Sequence, residues 1–234
     1  MSMKTTLLAA GLALAASGFA AAAPQDPARA PIVVELFQSQ GCSSCPPANA
    51  NVNALAARPD VLALSYGVTY WDQLGWKDTF ASPQYTARQW DYARSLGNSN
   101  VGTPQVVING RRELVGANRI ALDAAIHAEG AVQGPPVSIQ GLGVAVGAGA
   151  APTRPATVWL VRYDPGVRQV PVKRGENTGK TLPHRNVVVE LTKLGTWSGE
   201  LASFRAPASA DPTLKTAVLV QTGPAGPILA AAKG

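Results

Sequence analysis

The sequence predicts an α/β domain with the element order β-α-β-α-β-β-α, followed by an antiparallel β-rich, sandwich-like C-terminal region. Apolar, β-branched runs alternate with helix-like periodic segments over residues 32–129. After Gly134-Pro135-Pro136, short alternating runs separated by Gly, Pro and Thr replace any helical period. The 234 residues, of which 46% are hydrophobic, suffice for one or two domains with a sizeable core.

The first half opens with a strand, a helix and a second strand. Residues 32–37 form a short β-branched run that is typical of a strand buried on both faces. From Cys45, apolar residues recur at helical spacing as far as Arg58-Pro59, and prolines in the first turn are tolerated because the first N–H groups of a helix are unbonded. Residues 61–66 form the second strand, which we expect to run parallel to the first.

A long aromatic-rich loop, residues 68–80, leads to a second helix. Ser82-Pro83 is typical of an N-cap and first helical position, and Gly97 is typical of a helix end.

Two strands and a last helix complete this half. Residues 105–108 form the third strand, and Asn109-Gly110 predicts a two-residue hairpin turn into a fourth strand at 112–115. Asn118 then caps a helix that ends near Gly130.

The C-terminal region shows alternating runs without a convincing helix period. Runs of this kind between turn residues are typical of antiparallel strands. They cover residues 137–146, 156–163, 167–172, 186–194 and 215–221. We expect domains at 31–130 and 136–234, with the second either packed against the first or completing it.

The N-terminus has the features of a secretory signal peptide, residues 1–23. Lys4 precedes an apolar stretch, residues 7–16, that is too short to span a bilayer, and the alanines at 20–23 offer an A-x-A cleavage site. We therefore expect a periplasmic or secreted protein without a membrane anchor, in an oxidising compartment. An uncleaved N-terminal anchor is the alternative.

The net charge of +6 does not predict nucleic-acid binding. The excess of Lys and Arg lies after residue 150, dispersed among predicted strands and loops. It lacks the interleaved aromatic residues of a base-stacking surface. A solvated basic surface is the favoured interpretation.

The two cysteines, Cys42 and Cys45, have C-x-x-C spacing. A bridge that closes a loop of about four residues stabilises a fold by only about 2 kcal/mol. A zinc site would need about four ligands, and His127 and His184 lie far away in sequence without ligand spacing. A redox dithiol is favoured, with Cys42 as the exposed attacking thiolate near a helix N-terminus and Cys45 as the buried resolving thiol.

Residues 32–129 resemble the thioredoxin superfamily, because a strand precedes the C-x-x-C motif, a helix follows it, and Gly102-Thr103-Pro104 opens a later strand. The resemblance implies that Pro104 lies in a cis-proline loop that faces the cysteines and offers a backbone edge to a partner chain. The whole mature chain is also similar to secreted bacterial thioredoxin-like proteins catalogued as a domain of unknown function. The segments that carry this second resemblance are Ser39-Gln40-Gly41-Cys42-Ser43-Ser44-Cys45-Pro46-Pro47, Tyr70-Trp71-Asp72-Gln73-Leu74-Gly75-Trp76-Lys77-Asp78 and Arg174-Gly175-Glu176-Asn177.

Departures from ordinary thioredoxins leave the redox direction open. Gly41 stands where a Trp would precede the first cysteine, and Ser43-Ser44 contains neither the Pro nor the His of familiar reductants and oxidants. The buried acid that assists proton transfer in thioredoxin has no clear counterpart. Glu35 could approach the cysteines, but an ordinary polar strand position is favoured.

The aromatic loop supplies further candidates. Tyr70, Trp71 and Trp76 would form either a wall beside the dithiol for a peptide or small ligand, or the packing of a long loop. Asp72 and Asp78 would cap local turns.

Two polar segments lie between apolar runs of the C-terminal region, at 174–177 and 184–186. They would be either hairpin turns with an ion pair or the rim of a ligand site.

An exported thiol-disulfide oxidoreductase is the favoured function, with protein or small-molecule thiols and disulfides as partners and no cofactor or metal. The expected catalytic residues are Cys42, Cys45 and Pro104, and the expected substrate-binding residues are Thr103, Trp71 and Trp76. The alternative is a non-enzymatic protein that handles copper(I) through the same thiols, or one that binds proteins and keeps a structural disulfide. The lack of Met in the mature chain weakens the copper interpretation.

Overall fold

The computed structural model describes residues 30–234, so the predicted signal peptide lies outside the described residues. The helices are α1 Cys45–Leu55, α2 Pro83–Leu96 and α3 Arg119–Glu129. The strands are β1 Ile32–Gln38, β2 Val61–Gly67, β3 Gln105–Ile108, β4 Arg112–Leu114, β5 Val137–Gln140, β6 Gly143–Val146, β7 Ala156–Asp164, β8 Arg168–Pro171, β9 Thr181–His184, β10 Val187–Trp197, β11 Ala202–Arg205, β12 Lys215–Thr222 and β13 Ile228–Lys233.

Eight strands form one mixed sheet in the order β13-β12-β7-β10-β2-β1-β3-β4. β2 runs parallel to β1 on one side and to β10 on the other, where Val187 lies opposite Ser65. The remaining pairs in this sheet are antiparallel. Both predicted domains, 31–130 and 136–234, therefore contribute strands to a single sheet, and the boundary between them stays a prediction.

The mixed α/β character of the first half is confirmed, in the predicted order β1-α1-β2-α2-β3-β4-α3. Helix α2 illustrates the local signals. The Ser82 hydroxyl accepts a hydrogen bond from the N–H of Gln84 at 3.2 Å, and Gly97 ends the helix with a φ of 82°. Within residues 30–234, no helix combines the length and the apolar character that a membrane crossing requires.

The antiparallel β-rich character of the second half is also confirmed. Strands β5, β6 and β11 form a separate three-stranded sheet, whose apolar side chains pack against β7 and β12 around the buried Trp197. Strands β8 and β9 form a two-stranded ribbon. Strands β9, β11 and β13 lie outside the predicted runs.

Side chains of β1 alternate between two apolar cores, as the pleat of a strand requires. Val34 and Leu36 face the core that α1 and α3 cover. Val33 and Phe37 face the opposite core, which receives the tyrosines of α2. The two faces of β1 are therefore both buried, as predicted.

Glu35 lies on the α2 face of β1, across the sheet from α1. Its carboxylate accepts two hydrogen bonds from the Arg88 guanidinium, at 2.8 and 2.9 Å, and both side chains are buried. The Tyr92 hydroxyl also contacts this carboxylate and accepts a hydrogen bond from the Gln221 amide at 2.9 Å. The network joins β1, α2 and β12, so Glu35 links these three elements within the core.

The turn between β3 and β4 brings the two halves of the chain together. Asn109 and Gly110 adopt positive φ values of 49° and 66°, as a hairpin turn of this sequence predicts. The Asn109 side chain accepts a hydrogen bond from the Val33 N–H at 2.9 Å. A Cβ atom on Gly110 would lie 2.3 Å from the carbonyl oxygen of Gly226, so only glycine allows this close approach.

Candidate functional site

Cys42 and Cys45 are joined by a disulfide at the N-terminus of α1, with their Cα atoms 5.4 Å apart. The helix begins at Cys45, whose N–H donates to the carbonyl oxygen of Cys42 at 3.2 Å. Cys42 therefore lies one turn before the helix, at the end where the helix dipole favours a thiolate.

Neither sulfur is open to solvent. Cys42 is 0% exposed and Cys45 is 2% exposed, so the prediction that Cys42 is an exposed sulfur is wrong. The Cys42 Sγ atom lies 3.2 Å from the Ser44 hydroxyl and 3.7 Å from the carbonyl oxygen of Thr103. Ser44 is local, but the Thr103 carbonyl lies 61 residues away in sequence, which a local sequence pattern does not reveal.

The segment that contains Pro104 faces the disulfide. The Thr103–Pro104 peptide bond is cis. The carbonyl oxygen of Thr103 accepts a hydrogen bond from the Ser44 hydroxyl at 3.3 Å. The structure thus brings Cys42, Thr103 and Pro104 together, although 61 residues separate Cys42 from Thr103.

Trp71 connects the segment before the cysteines with the segment before Pro104. Its indole N–H donates to the Thr103 hydroxyl at 2.8 Å. A Cβ atom on Gly41 would lie only 3.6 Å from the Trp71 Cβ atom, so the Trp side chain packs directly over Gly41. The same side chain also packs against the larger core, which is the packing role that the sequence offered, and a role in binding a ligand stays a prediction.

Trp76 and Asp78 hold the aromatic loop against Gln40. The Trp76 indole N–H donates to the Gln40 amide oxygen at 2.9 Å, and the Gln40 backbone N–H donates to the Asp78 carboxylate at 2.7 Å. Asp78 also accepts from the Phe80 N–H, and Asp72 accepts from the Asp78 N–H, as predicted for residues that cap turns. Burial raises the pKa of Asp78 to about 6.

Glu176 and Asn177 extend from the second half of the chain onto the cysteine segment. The buried Asn177 amide donates to the carbonyl oxygens of Gln40 and Cys42, at 2.9 and 2.8 Å. The Glu176 carboxylate accepts a hydrogen bond from the Ser43 backbone N–H at 3.0 Å. The sequence singled out this segment as polar, but nothing in the pattern connected it to the dithiol.

A family described as "Protein of unknown function (DUF1223)" matches residues 33–221. The chain belongs to this family.

A solved relative of this DUF1223 chain is a protein from Agrobacterium tumefaciens with an X-ray crystal structure. The two sequences are 33% identical, the match covers 86% of this chain and 92% of the relative, and the TM-score is 0.72. A Porphyromonas gingivalis protein named HBP35 is 13% identical, with a TM-score of 0.62 over 88% of this chain and 75% of that one, which indicates a shared fold. No curated protein matches the DUF1223 chain.

Helix α1 of the DUF1223 chain also rests on strand β9. The amides of Asn49 and Asn53 both donate to the carbonyl oxygen of Pro183, at 2.7 and 2.8 Å. The next residue, His184, is buried edge-on against the Phe80 ring, with the ring centroids 5.5 Å apart. Neither ring nitrogen of His184 has a hydrogen-bond partner within residues 30–234, and burial lowers its pKa to about 4.

A groove of about 730 Å³ lies beside the disulfide segment, where Ser44 lines it. Residues 98–100, 102–105 and 113–115 form the rest of its lining. Among residues 30–234, no three His, Cys, Asp or Glu side chains are grouped so that they could hold a metal ion.

The two buried titratable groups near the site predict opposing effects of pH on stability. The pKa of His184 is about 4, against an ordinary 6.5, so its stabilising contribution is present above pH 6.5 and is lost as the pH falls towards 4. The pKa of Asp78 is about 6, against an ordinary 3.8, so its contribution is present below pH 3.8 and is lost as the pH rises through 6. Each contribution is on the order of 3 kcal/mol.

We therefore expect the variant His184→Leu to lose free energy of unfolding as the pH rises from 4 to 6, because only the Asp78 contribution then remains. Urea unfolding at several pH values measures this dependence. The free energy of unfolding of wild-type protein should change less over the same pH range, because the two contributions oppose each other. His127→Leu is the matched control, since His127 lies on α3. Parallel pH profiles for His184→Leu and wild-type protein would contradict the expectation.

Proposed function

We propose that this protein is a thiol-disulfide oxidoreductase whose redox centre is the Cys42–Cys45 pair, carried on a thioredoxin-like domain. One observation carries the proposal: the disulfide lies at the N-terminus of α1 and faces the Thr103 carbonyl that precedes Pro104. A disulfide that closes so short a loop contributes little to stability, whereas a dithiol at a helix N-terminus is suited to exchange.

The reaction consists of two thiol-disulfide exchanges. In the reduced protein, the Cys42 thiolate attacks a substrate disulfide, which forms a mixed disulfide and releases one substrate thiolate. Cys45 then loses its proton and attacks the Cys42 sulfur, which releases the second substrate thiolate and leaves the Cys42–Cys45 disulfide. The substrate gains two electrons and the protein loses two, and the reverse sequence oxidises a substrate dithiol.

The substrate approaches along the groove that begins at Ser44 and Thr103. Pro104 and Thr103 position its backbone, and Trp71 and Trp76 support the two segments that meet at the disulfide. Because both sulfurs are buried in the oxidised protein, the Ser44 side chain that contacts the Cys42 sulfur must move before a substrate thiolate reaches it.

Export is part of the proposal. The predicted signal peptide, residues 1–23, would deliver the chain to the periplasm or the exterior, where thiol-disulfide exchange proteins have oxidised partners. Protein or small-molecule thiols and disulfides are the proposed partners.

Replacing Cys42 by Ser is expected to lower the rate of disulfide exchange by at least about 10³-fold, because the attacking sulfur is lost. The measurement uses the reduced mature protein and a fluorescent peptide disulfide. The matched variant Cys45→Ser keeps the attacking thiol and should accumulate a mixed disulfide with the peptide, which mass spectrometry detects. If Cys42→Ser exchanges at the wild-type rate, the proposed function is wrong.

A further inference from the structure

The peptide group between Cys42 and Ser43 is held by two side chains from the second half of the chain. Asn177 donates to the Cys42 carbonyl oxygen at 2.8 Å, and Glu176 accepts from the Ser43 N–H at 3.0 Å. The two hydrogen bonds therefore engage the C=O and the N–H of the same peptide group. Glu176 is therefore fixed beside the cysteine that is proposed to attack, 133 residues away from Ser43 in sequence.

Glu176 brings a negative charge to this position. Hydrogen bonds from the Ser43 side chain and backbone N–H lower the pKa of Glu176, so the group is a carboxylate at neutral pH. Among residues 30–234, no Lys, Arg or His forms an ion pair with it. Two further charged groups bond to the same segments, Asp78 to the Gln40 N–H and Lys180 to the Asn177 amide oxygen at 3.0 Å, and Lys173 and Arg174 precede Glu176 in its own loop.

A carboxylate at this place opposes the usual advantage of a helix N-terminus. Unbonded N–H groups there stabilise a cysteine thiolate, which lowers the thiol pKa and makes the disulfide easier to reduce. Glu176 binds the Ser43 N–H, two residues before α1 begins, so this N–H does not donate to the Cys42 sulfur, and it adds a negative charge beside the peptide group that follows Cys42. Both effects act against the thiolate of Cys42, and neither acts on the uncharged disulfide.

We propose that Glu176 is a positioning residue that disfavours the Cys42 thiolate and so biases the pair towards the disulfide. This inference rests on the proposed function and adds a redox direction to it: the reduced protein would be the stronger electron donor. The relevant equilibrium is the reaction of the protein disulfide with two glutathione thiols, which yields the protein dithiol and one glutathione disulfide. Two electrons pass from glutathione to the protein.

The test compares wild-type protein with Glu176→Gln and Glu176→Ala. Glu176→Gln removes the charge and keeps an oxygen that can accept from the Ser43 N–H, whereas Glu176→Ala frees this N–H as well. Equilibration with glutathione buffers, followed by thiol trapping, gives the equilibrium constant for reduction. The pH dependence of alkylation, after full reduction with dithiothreitol, gives the pKa of the Cys42 thiol.

We expect reduction by glutathione to become about three- to tenfold more favourable in Glu176→Gln, and at least as favourable in Glu176→Ala, with a lower Cys42 thiol pKa in both. Because Glu176 is exposed, the effect of its charge should shrink at about 1 M salt, which a purely structural role would not predict. Glu200→Gln, at an exposed turn between β10 and β11, is the matched control and should leave both quantities unchanged.

Two outcomes separate the two proposals. If both Glu176 variants match wild-type protein in equilibrium constant and thiol pKa, Glu176 does not bias the pair, whatever the protein's activity. If the variants shift both quantities as expected but no protein exchanges disulfides with a peptide, the role of Glu176 stands and the proposed function fails.

Discussion

Replacing Arg88 by Met is expected to lower the free energy of unfolding by about 3–5 kcal/mol, because it leaves the Glu35 carboxylate buried without its cation. Both side chains are almost fully buried, at 3% and 0% exposure, and they share two hydrogen bonds. The contact of Glu35 with the Tyr92 hydroxyl does not replace the lost charge. Urea unfolding followed by far-UV circular dichroism measures the loss.

The double variant Glu35→Leu with Arg88→Met is the control for this prediction. It removes both charges and keeps apolar volume, so we expect it to be more stable than Arg88→Met alone. Arg94→Met, which breaks an exposed ion pair with Asp91 on the same helix, should change stability by about 1 kcal/mol or less. If Arg88→Met lowered the free energy of unfolding by no more than Arg94→Met does, the role assigned to the buried Glu35–Arg88 pair would be wrong.

Asn177→Ala is expected to lower the free energy of unfolding by about 1–3 kcal/mol, because it leaves the Gln40 carbonyl oxygen without a donor and the Cys42 carbonyl oxygen with the Cys45 N–H alone. The same change should loosen the cysteine segment and speed alkylation of Cys42 in reduced protein. Asn177→Asp should lower the free energy of unfolding at least as much, since a carboxylate would face the same two carbonyl oxygens. Thermal unfolding and the rate of alkylation by iodoacetamide measure the two effects.

Asn51→Ala is the matched control, because the Asn51 amide also donates to two carbonyl oxygens, those of Gly116 and Ala117, but at the surface. Water can replace a donor at that site, so we expect a loss of about 1 kcal/mol or less and no change in alkylation. If Asn51→Ala and Asn177→Ala lost the same free energy of unfolding and were alkylated at the same rate, the role assigned to Asn177 would be wrong.

Local chemistry explains which elements could be predicted. Helix α2 has an N-cap serine, a proline in its first turn and a glycine at its end, and strand β1 has a continuous apolar run. Strand β9 was missed because it contains Pro183, a residue that argues against a strand. Strand β13 was missed because Ala230, Ala231 and Ala232 have low β-propensity, and their strand conformation depends on pairing with β12.

Local patterns likewise predict some residues of the candidate site and not others. Cys42, Cys45 and Pro104 could be singled out because each stands next to a predicted helix or strand. The burial of Cys42 could not, because Trp71 and Thr103 close over the segment only after the chain has folded. Glu176 and Asn177 could not be linked to the cysteines, since a hydrogen bond across more than 130 residues leaves no periodic trace in a single sequence.

The hydrogen bonds of Asn177 have a consequence for the order in which the chain is made. Synthesis proceeds from the N-terminus, so both cysteines emerge when Asn177, 135 residues after Cys42, has yet to be added. Throughout that interval the carbonyl oxygens of Gln40 and Cys42 lack the amide that later donates to both. The cysteine segment therefore gains its link to the second half of the chain only after residue 177 has been added.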